Sequence, residues 1–284
     1  MSFRTEKLGG HMAAAVSGID LNHLPNAATQ AALQGVLHDN LVLCIRDQKL
    51  APVAFRDAMA RFGTPMLRKQ LEHTPECAEV NIISSEDRDT LGDGRKIVNG
   101  ANWHTDDSFM REPCSLTMLY GVVVPSRGGD TQFTNMYAAY EDLPAETRRR
   151  IDPLKVVHKY HSRRKLTYVS TRPAEEMAAM PEATHPLVRT HPETGRPCLF
   201  LGRRRNSYVV GLDLAESEAL LDELWAHATR AEHTFRQQWK VGDLIMWDNR
   251  CTLHRRDPFD PEARRLMHRT QIKDAHSSRA AARG

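Results

Sequence analysis

The segment NWHTDDSF, residues 102–109, sets a histidine and two aspartates between two large aromatic side chains. In extended backbone, successive side chains alternate between faces, so His104 and Asp106 point one way and Thr105 and Asp107 the other. A histidine nitrogen and a carboxylate oxygen on one face can reach a single metal ion. They would be two of the three ligands of a two-histidine, one-carboxylate iron site. The pair is weakly specific alone: the chain holds 14 histidines, and a second His-x-acid pair stands at His191 and Glu193. That rival lies in THPETGRP, whose proline and glycine read as a hairpin turn.

A candidate third ligand, His254, lies in WDNRCTLHRRDPFDPEARRLMHRTQ, residues 247–271, after a short strand and before a run of arginines. If RRLMHRT is a strand, Arg265, Met267 and Arg269 share one face, and Arg264, Leu266 and His268 the other. Two arginines on a buried-looking face repel each other unless each meets an anion. Asp257, Asp260 and Glu262 are internal candidates, and a solvated basic stripe is the plain alternative. Residues 265 and 269 would lie roughly 13 Å apart at about 3.3 Å per residue, too far for one small dianion to satisfy both.

The elements that must position these residues read as follows. PNAATQAALQGVLHDN and PVAFRDAMARFG are early helices, with the apolar strand LVLCIRDQ between them. DLAESEALLDELWAHATR is the clearest helix, with Leu220, Leu221 and Leu224 on one face. Beyond residue 100 strands dominate: SLTMLYGVVV, DTQFTNM, LKVVHKYH, HPLVRTH, PCLFLG, HTFRQQWK, DLIMWD and RRLMHRTQI. PETGRP and KVGD read as hairpin turns. This order predicts an all-β core with flanking helices, a double-stranded β-helix of the jelly-roll, cupin-like kind. No repeat or linker divides the chain, so residues 1–284 are expected to form one domain, with 275–284 as a frayed tail. The stretches 85–102 and 162–183 fit no element and are candidate lids.

Composition sets outer bounds. The 284 residues carry a net charge of +3 and are 40% hydrophobic, with a mean hydropathy of −0.53. Near-balanced charge argues against a nucleic-acid partner. The longest apolar runs are too short to span a bilayer, and the start lacks a secretory signal. Five scattered cysteines, Cys44, Cys77, Cys114, Cys198 and Cys251, form no CxxC pair and suggest reduced thiols in a cytoplasm. A homo-oligomer, dimer or tetramer, is the expected assembly.

Taken together, NWHTDDSF, VVVPSRGGDTQFTNMYAAYEDLP, HPLVRTHPETGRPCLFLG and GDLIMWDNRCTLHR followed by ARRLMHRT carry a resemblance that extends over nearly the whole chain. The chain resembles the taurine dioxygenase and 2,4-dichlorophenoxyacetate dioxygenase (TauD/TfdA) family of iron(II)- and 2-oxoglutarate-dependent dioxygenases, leaning toward the aryloxyalkanoate members. The resemblance implies His104, Asp106 and His254 as iron ligands. It implies Thr131, in GGDTQF, and Arg265 as the grip on the distal carboxylate of 2-oxoglutarate. Arg269 falls where members acting on anionic substrates use an arginine. Trp247 and Asn249 are expected to shape the last metal-bearing turn, and Asp107 to be structural.

The implied reaction consumes O2 and 2-oxoglutarate, releases succinate and CO2, and hydroxylates a small organic anion such as an aryloxyalkanoate, carboxylate or sulfonate, cleaving it where the new hydroxyl adjoins an ether oxygen. Ascorbate would support activity in vitro. Asp106 fills the position that halogenating relatives give up to halide, so hydroxylation is the implied outcome. Desaturation or hydroxylation within a biosynthetic pathway is the alternative, and a non-catalytic metal-binding jelly-roll sensor a more distant one. Arg68, Lys69, His73 and Tyr168 are candidate substrate contacts, each more simply read as surface.

Overall fold

The computed structural model describes residues 3–68, 71–86, 100–160, 181–204 and 207–273. The tail 275–284, Lys69, Tyr168 and most of the stretches 85–102 and 162–183 lie outside the described residues.

The chain opens with two antiparallel strands, β1 (Arg4–Lys7) and β2 (Ala14–Ser17). Helix α1 (Ala27–Asn40) begins where the Asn26 side chain accepts the Thr29 amide and ends at Leu41, whose φ is 64°. Strand β3 (Val42–Ile45) follows, then α2 (Pro52–Met59), with proline inside its first turn where a missing N–H costs nothing. Next come β4 (His73–Thr74), β5 (Cys77–Ser84), β6 (Cys114–Val123) and β7 (Thr131–Asn135). Short helices α3 (Met136–Glu141) and α4 (Ala145–Ile151) precede β8 (Lys155–Lys159), β9 (Glu182–Pro186), β10 (Val188–Thr190), β11 (Pro197–Leu199) and β12 (Ser207–Val209). Helix α5 (Leu214–Ala228) carries the capping box of Asp213 and Glu216. Strands β13 (Thr234–Gln237), β14 (Leu244–Asp248), β15 (Thr252–Arg256) and β16 (Leu266–Lys273) complete the order.

The large sheet runs β1-β2-β3-β14-β6-β16-β5-β4, and smaller sheets run β13-β7-β15, β12-β8-β9 and β10-β11. Two apolar clusters flank the large sheet, and the alternation of its strands sorts residues between them. Val42, Cys44, Leu119, Ile245, Trp247 and Met267 face an inner cluster shared with Phe133 of β7, Leu253 of β15 and Leu221 of α5. Leu43, Ile45, Met118, Leu244, Met246 and Ile272 face the other cluster, where Leu33 and Leu37 of α1 and Phe55 of α2 cover them. Strands buried on both faces read as continuous apolar runs, which is why LVLCI and DLIMW show no alternation. On β6 and β16, Thr117, Arg269 and Gln271 share the parity of the inner residues Leu119 and Met267 and therefore face the inner side.

This is the expected jelly roll with helices laid on it, with corrections. KVGD is not a hairpin: β13 pairs with β7, whereas β14 pairs with β3 and β6, so the turn carries the chain from one sheet to another. HPLVRTH divides at Pro186, where β9 ends and β10 begins, since proline cannot donate to a ladder. PETGRP does close a hairpin, β10 against β11. The expected strand list omits β1, β2, β4, β5, β12 and β15, and His254, expected to follow a short strand, lies within β15 itself. No helix among the described residues is long and apolar enough to cross a membrane.

Candidate metal centre

The 102–109 segment is extended only through Thr105; residues 106–109 form a turn, with Asp107 at φ 56°. His104 pairs directly with His254 in an antiparallel bridge, its amide donating to the His254 carbonyl at 2.9 Å and its carbonyl accepting from the His254 amide at 2.8 Å. Strand β15 places His254 opposite Phe133 of β7. The two imidazoles are thus set side by side, centroids 4.2 Å apart. The turn after Thr105 brings Asp106 Oδ1 to 3.5 Å from His104 Nε2 and 3.9 Å from His254 Nε2. One ligand atom from each of the three residues lies within 4.8 Å of the others.

The donor set suits a divalent metal. Asp106 Oδ2 is occupied by the Thr117 hydroxyl at 2.8 Å and the Gln271 amide at 3.2 Å, which leaves Oδ1 open. His104 Nδ1 donates to the Asn102 carbonyl at 2.8 Å, so its Nε2 carries the lone pair. His254 Nδ1 is buried without a partner, and its ring plane is set by packing on Trp247, 4.7 Å between centroids. Burial and the neighbouring His104 charge push the His254 pKa down to about 3, and Arg269 and Arg203 add to the effect. For Asp106, burial works upward but is overcome by His254, the His104 hydrogen bond and Arg269, which hold the carboxyl well below its usual range. A neutral imidazole beside an ionised carboxylate is the protonation state a metal requires.

Behind the carboxylate runs a relay the sequence reading only partly anticipates. Asn249 donates to the Thr117 hydroxyl at 2.7 Å, and Trp247 Nε1 donates to Asn249 Oδ1 at 3.0 Å. Trp247 and Asn249, expected to shape the turn before His254, thus also reach the Asp106 carboxylate through Thr117. Thr117 and Gln271 were missed. Gln271 was accessible through its parity with Arg269 on one strand, but Thr117 carried no local signal.

Arg265 sits just ahead of β16, 4% exposed, with its Nε lacking a partner among the described residues. Its backbone is pinned to Ser85 by two hydrogen bonds of 2.9 Å. Burial and the charge of Arg256 push its pKa down to about 9. No ion pair involves Arg265 among the described residues; Asp257 pairs instead with Arg236 at 3.3 Å. A buried guanidinium without an acid is costly and suits an incoming anion. The Thr131 hydroxyl accepts from Trp239 Nε1 at 2.9 Å, so its own proton is free to be donated, and no described residue accepts it. Trp239 is a further residue the sequence reading missed. The turn before β7 needs glycine: Gly128 has φ 73°, and a Cβ there would lie 2.5 Å from the Pro258 carbonyl.

Arg269 lies on the inner face of β16, opposite Leu119 of β6, with its Nε buried and unpartnered. Its charge reaches Asp106, Asp107 and His254. Asp107 does not take it as an ion-pair partner, because Asp107 is held by Arg68 in a short hydrogen bond. Arg68 is buried in that pair, which corrects its reading as surface. Glu112 is exposed and forms no ion pair among the described residues, and His73 is exposed.

The rival His191 belongs to a second cluster with Asp248 and Cys251. Its Nδ1 accepts the Thr194 amide at 3.2 Å, so Nε2 carries the proton and donates to Asp248 Oδ2 at 3.0 Å. Arg250 closes on the same carboxylate with bonds of 2.9 and 2.6 Å. That carboxylate is already neutralised by a guanidinium, and the network is structural.

A jelly roll with two histidines and a carboxylate converging between its sheets is the architecture of the iron(II)- and 2-oxoglutarate-dependent dioxygenases. The match to the "Taurine catabolism dioxygenase TauD, TfdA family" extends over residues 4–271, and the chain belongs to that family. It is 37% identical to the alpha-ketoglutarate-dependent 2,4-dichlorophenoxyacetate dioxygenase of Cupriavidus pinatubonensis, over 97% of this chain and 99% of that protein. It is 31% identical to the (S)-phenoxypropionate/alpha-ketoglutarate-dioxygenase of Sphingobium herbicidovorans, over 99% and 98% of the two chains. The crystal structure of AAD-2 with Mn(II) and N-oxalylglycine superposes with a TM-score of 0.83 at 28% identity, covering 97% of this chain and 98% of that one.

Proposed function

We propose that His104, Asp106 and His254 hold iron(II), that Thr131 and Arg265 hold the distal carboxylate of 2-oxoglutarate, and that Arg269 reads a negative charge on a small organic substrate of the aryloxyalkanoate kind. The observation that carries this reading is the open Oδ1 of Asp106 facing two Nε2 atoms, with Asp106 Oδ2 already engaged. When bound, iron with 2-oxoglutarate and O2 supplies the oxidising power to hydroxylate an unactivated C–H bond, the 2-oxo acid leaving as succinate and CO2.

The chain's own residues position and select. Thr117 and Gln271 hold the carboxylate so that one oxygen faces the histidines. Arg265 presents a planar donor fork that can pair with a carboxylate bidentately, and Thr131 adds one O–H. Arg269 brings the substrate's anionic end to the same face of the sheet, which fixes which carbon approaches the metal. In an aryloxyalkanoate the carbon nearest the carboxylate also bears the ether oxygen. Hydroxylation there gives a hemiacetal or hemiketal that collapses to a phenol and an oxo acid. The two relatives, a 2,4-dichlorophenoxyacetate dioxygenase and an (S)-phenoxypropionate dioxygenase, support this substrate class.

The test is succinate formation from 2-oxoglutarate with iron(II) and ascorbate, across matched aryloxyacetates, sulfonates and sulfate esters. Substrate-dependent stimulation by the aryloxyacetates, with release of the phenol, is expected. Turnover that no anion stimulates would reject the reading.

A further inference from the structure

Beyond Arg269, a second cation, Arg203, stands at the site without an ion-pair partner among the described residues. Leu201, Gly202 and Arg203, just after β11, run beside the metal-bearing segment: the Thr105 amide donates to the Gly202 carbonyl at 3.0 Å. The approach is tight. Gly202 has φ 66°, and a Cβ there would fall 1.9 Å from His158 Nδ1 and 2.9 Å from Ser108 Oγ, so only glycine fits. The Ser207 hydroxyl donates to the Arg203 carbonyl at 2.7 Å and fixes the residue from the other side. The guanidinium then lies over Phe109, 5.5 Å from its ring centre, within the turn that follows Asp106. Its Nε is buried and has no hydrogen-bond partner. Glu218 and Asp222 are engaged by the neighbouring Arg204.

The charges can be matched one by one, taking the proposed assignment of the site as given. Arg68 is matched by Asp107. Arg265 is matched by the distal carboxylate of 2-oxoglutarate, and the two charges of the metal by Asp106 and the cosubstrate's other carboxylate. Arg203 and Arg269 remain, both close enough for their charge to act on His254, and neither has an ion pair among the described residues. Partly buried cations without counter-charge favour ligands that supply it. We infer that Arg203 is a specificity-determining residue and that the preferred substrate carries two anionic groups, one met by Arg269 and the other by Arg203 over Phe109.

The experiment uses equilibrium binding to the full chain as its anaerobic iron(II)·2-oxoglutarate complex, followed by perturbation of the metal-to-ligand absorption band. The probes are phenoxyacetate and 4-carboxyphenoxyacetate, which differ by one ring carboxylate. The native protein should bind the dianion about tenfold or more tightly than the monoanion, as expected for one added charge-assisted contact. Arg203→Gln should remove most of that preference while changing 2-oxoglutarate affinity less than about twofold, and Arg203→Lys should restore part of it. Equal binding of the two probes, binding of neither, or an Arg203→Gln variant that weakens both alike would overturn the inference. Absence of the absorption band in the native protein would instead reject the assignment of the metal and cosubstrate residues, so the two failures are distinguishable.

Discussion

Thr117 donates its hydroxyl proton to Oδ2 of Asp106 across 2.8 Å, from a strand in the middle of the large sheet to a turn outside it. Asn249 donates to the same hydroxyl at 2.7 Å, which turns the Thr117 proton toward the carboxylate and orients Asp106 before any metal arrives. Thr117→Ala should therefore lower iron(II) affinity by about 10–100-fold, the range for groups that orient metal ligands. Competition with a chelating dye measures this. Affinity within twofold of native would show that the turn alone orients Asp106.

His254→Ala, Asp106→Ala and His104→Ala should each reduce iron-dependent 2-oxoglutarate consumption to background while the far-ultraviolet dichroism keeps its native shape. The apolar clusters on either side of the large sheet contain none of the three side chains, so the core stays packed in each variant. A His254→Ala protein with near-native turnover would exclude that ligand.

The cosubstrate residues should rank in a definite order. Arg265→Ala should weaken 2-oxoglutarate by about 2–5 kcal/mol, since a charged, desolvated pair is broken. Thr131→Ala should cost about 1 kcal/mol for one hydroxyl bond. Trp239→Phe keeps an aromatic ring, smaller than the indole, but removes the N–H that fixes the Thr131 hydroxyl, and should cost no more than Thr131→Ala. Titration of the anaerobic iron complex gives all three values, and Thr131 proving more damaging than Arg265 would reverse the assignment.

Arg269→Ala should lose stimulation of turnover by aryloxyacetate while still binding 2-oxoglutarate. The native protein should also discriminate against the neutral amide or ester of the same substrate. Equal acceptance of charged and neutral forms would remove the substrate role from Arg269.

Acid should destabilise the protein in a window set by a histidine away from the metal ligands. Burial, with the positive charges of His185 and Arg189 behind it, pushes the His158 pKa from 6.5 down to about 3. Between those values the unfolded chain binds a proton that the folded chain does not. Stability is thus fully present above about pH 6.5 and declines as pH falls toward 3, by up to about 1.4 kcal/mol per pH unit for this group. Urea midpoints between pH 7.5 and 5 should fall, and less steeply in His158→Gln. Identical slopes in the two proteins would assign the effect to other groups.

Short-range patterns were enough for much of this molecule. Asn26 ahead of α1, Asp213 with Glu216 at α5 and the double-faced apolar runs of β3 and β14 act over a few residues, so the sequence carries them openly. The proximity of His104 and Asp106 was legible from their spacing, although a turn after Thr105, and not extended backbone, brings them together. What lies beyond that reach was decided by the packed sheets. The oxygen of Asp106 left for a metal depends on Gln271, 165 residues away, and the Thr117 hydroxyl on Asn249, 132 residues away. Trp239 meets Thr131 across 108 residues, and Arg68 takes Asp107 across 39, which removed Arg68 from the surface and left Asp107 structural as expected. KVGD has the composition of a hairpin, yet its flanking strands join different sheets, because strand pairing is settled by the face each strand must bury and not by the turn between them. Hydrogen-bond and charge partners are chosen by distance in space, and the chain order does not encode that distance until the sheets close.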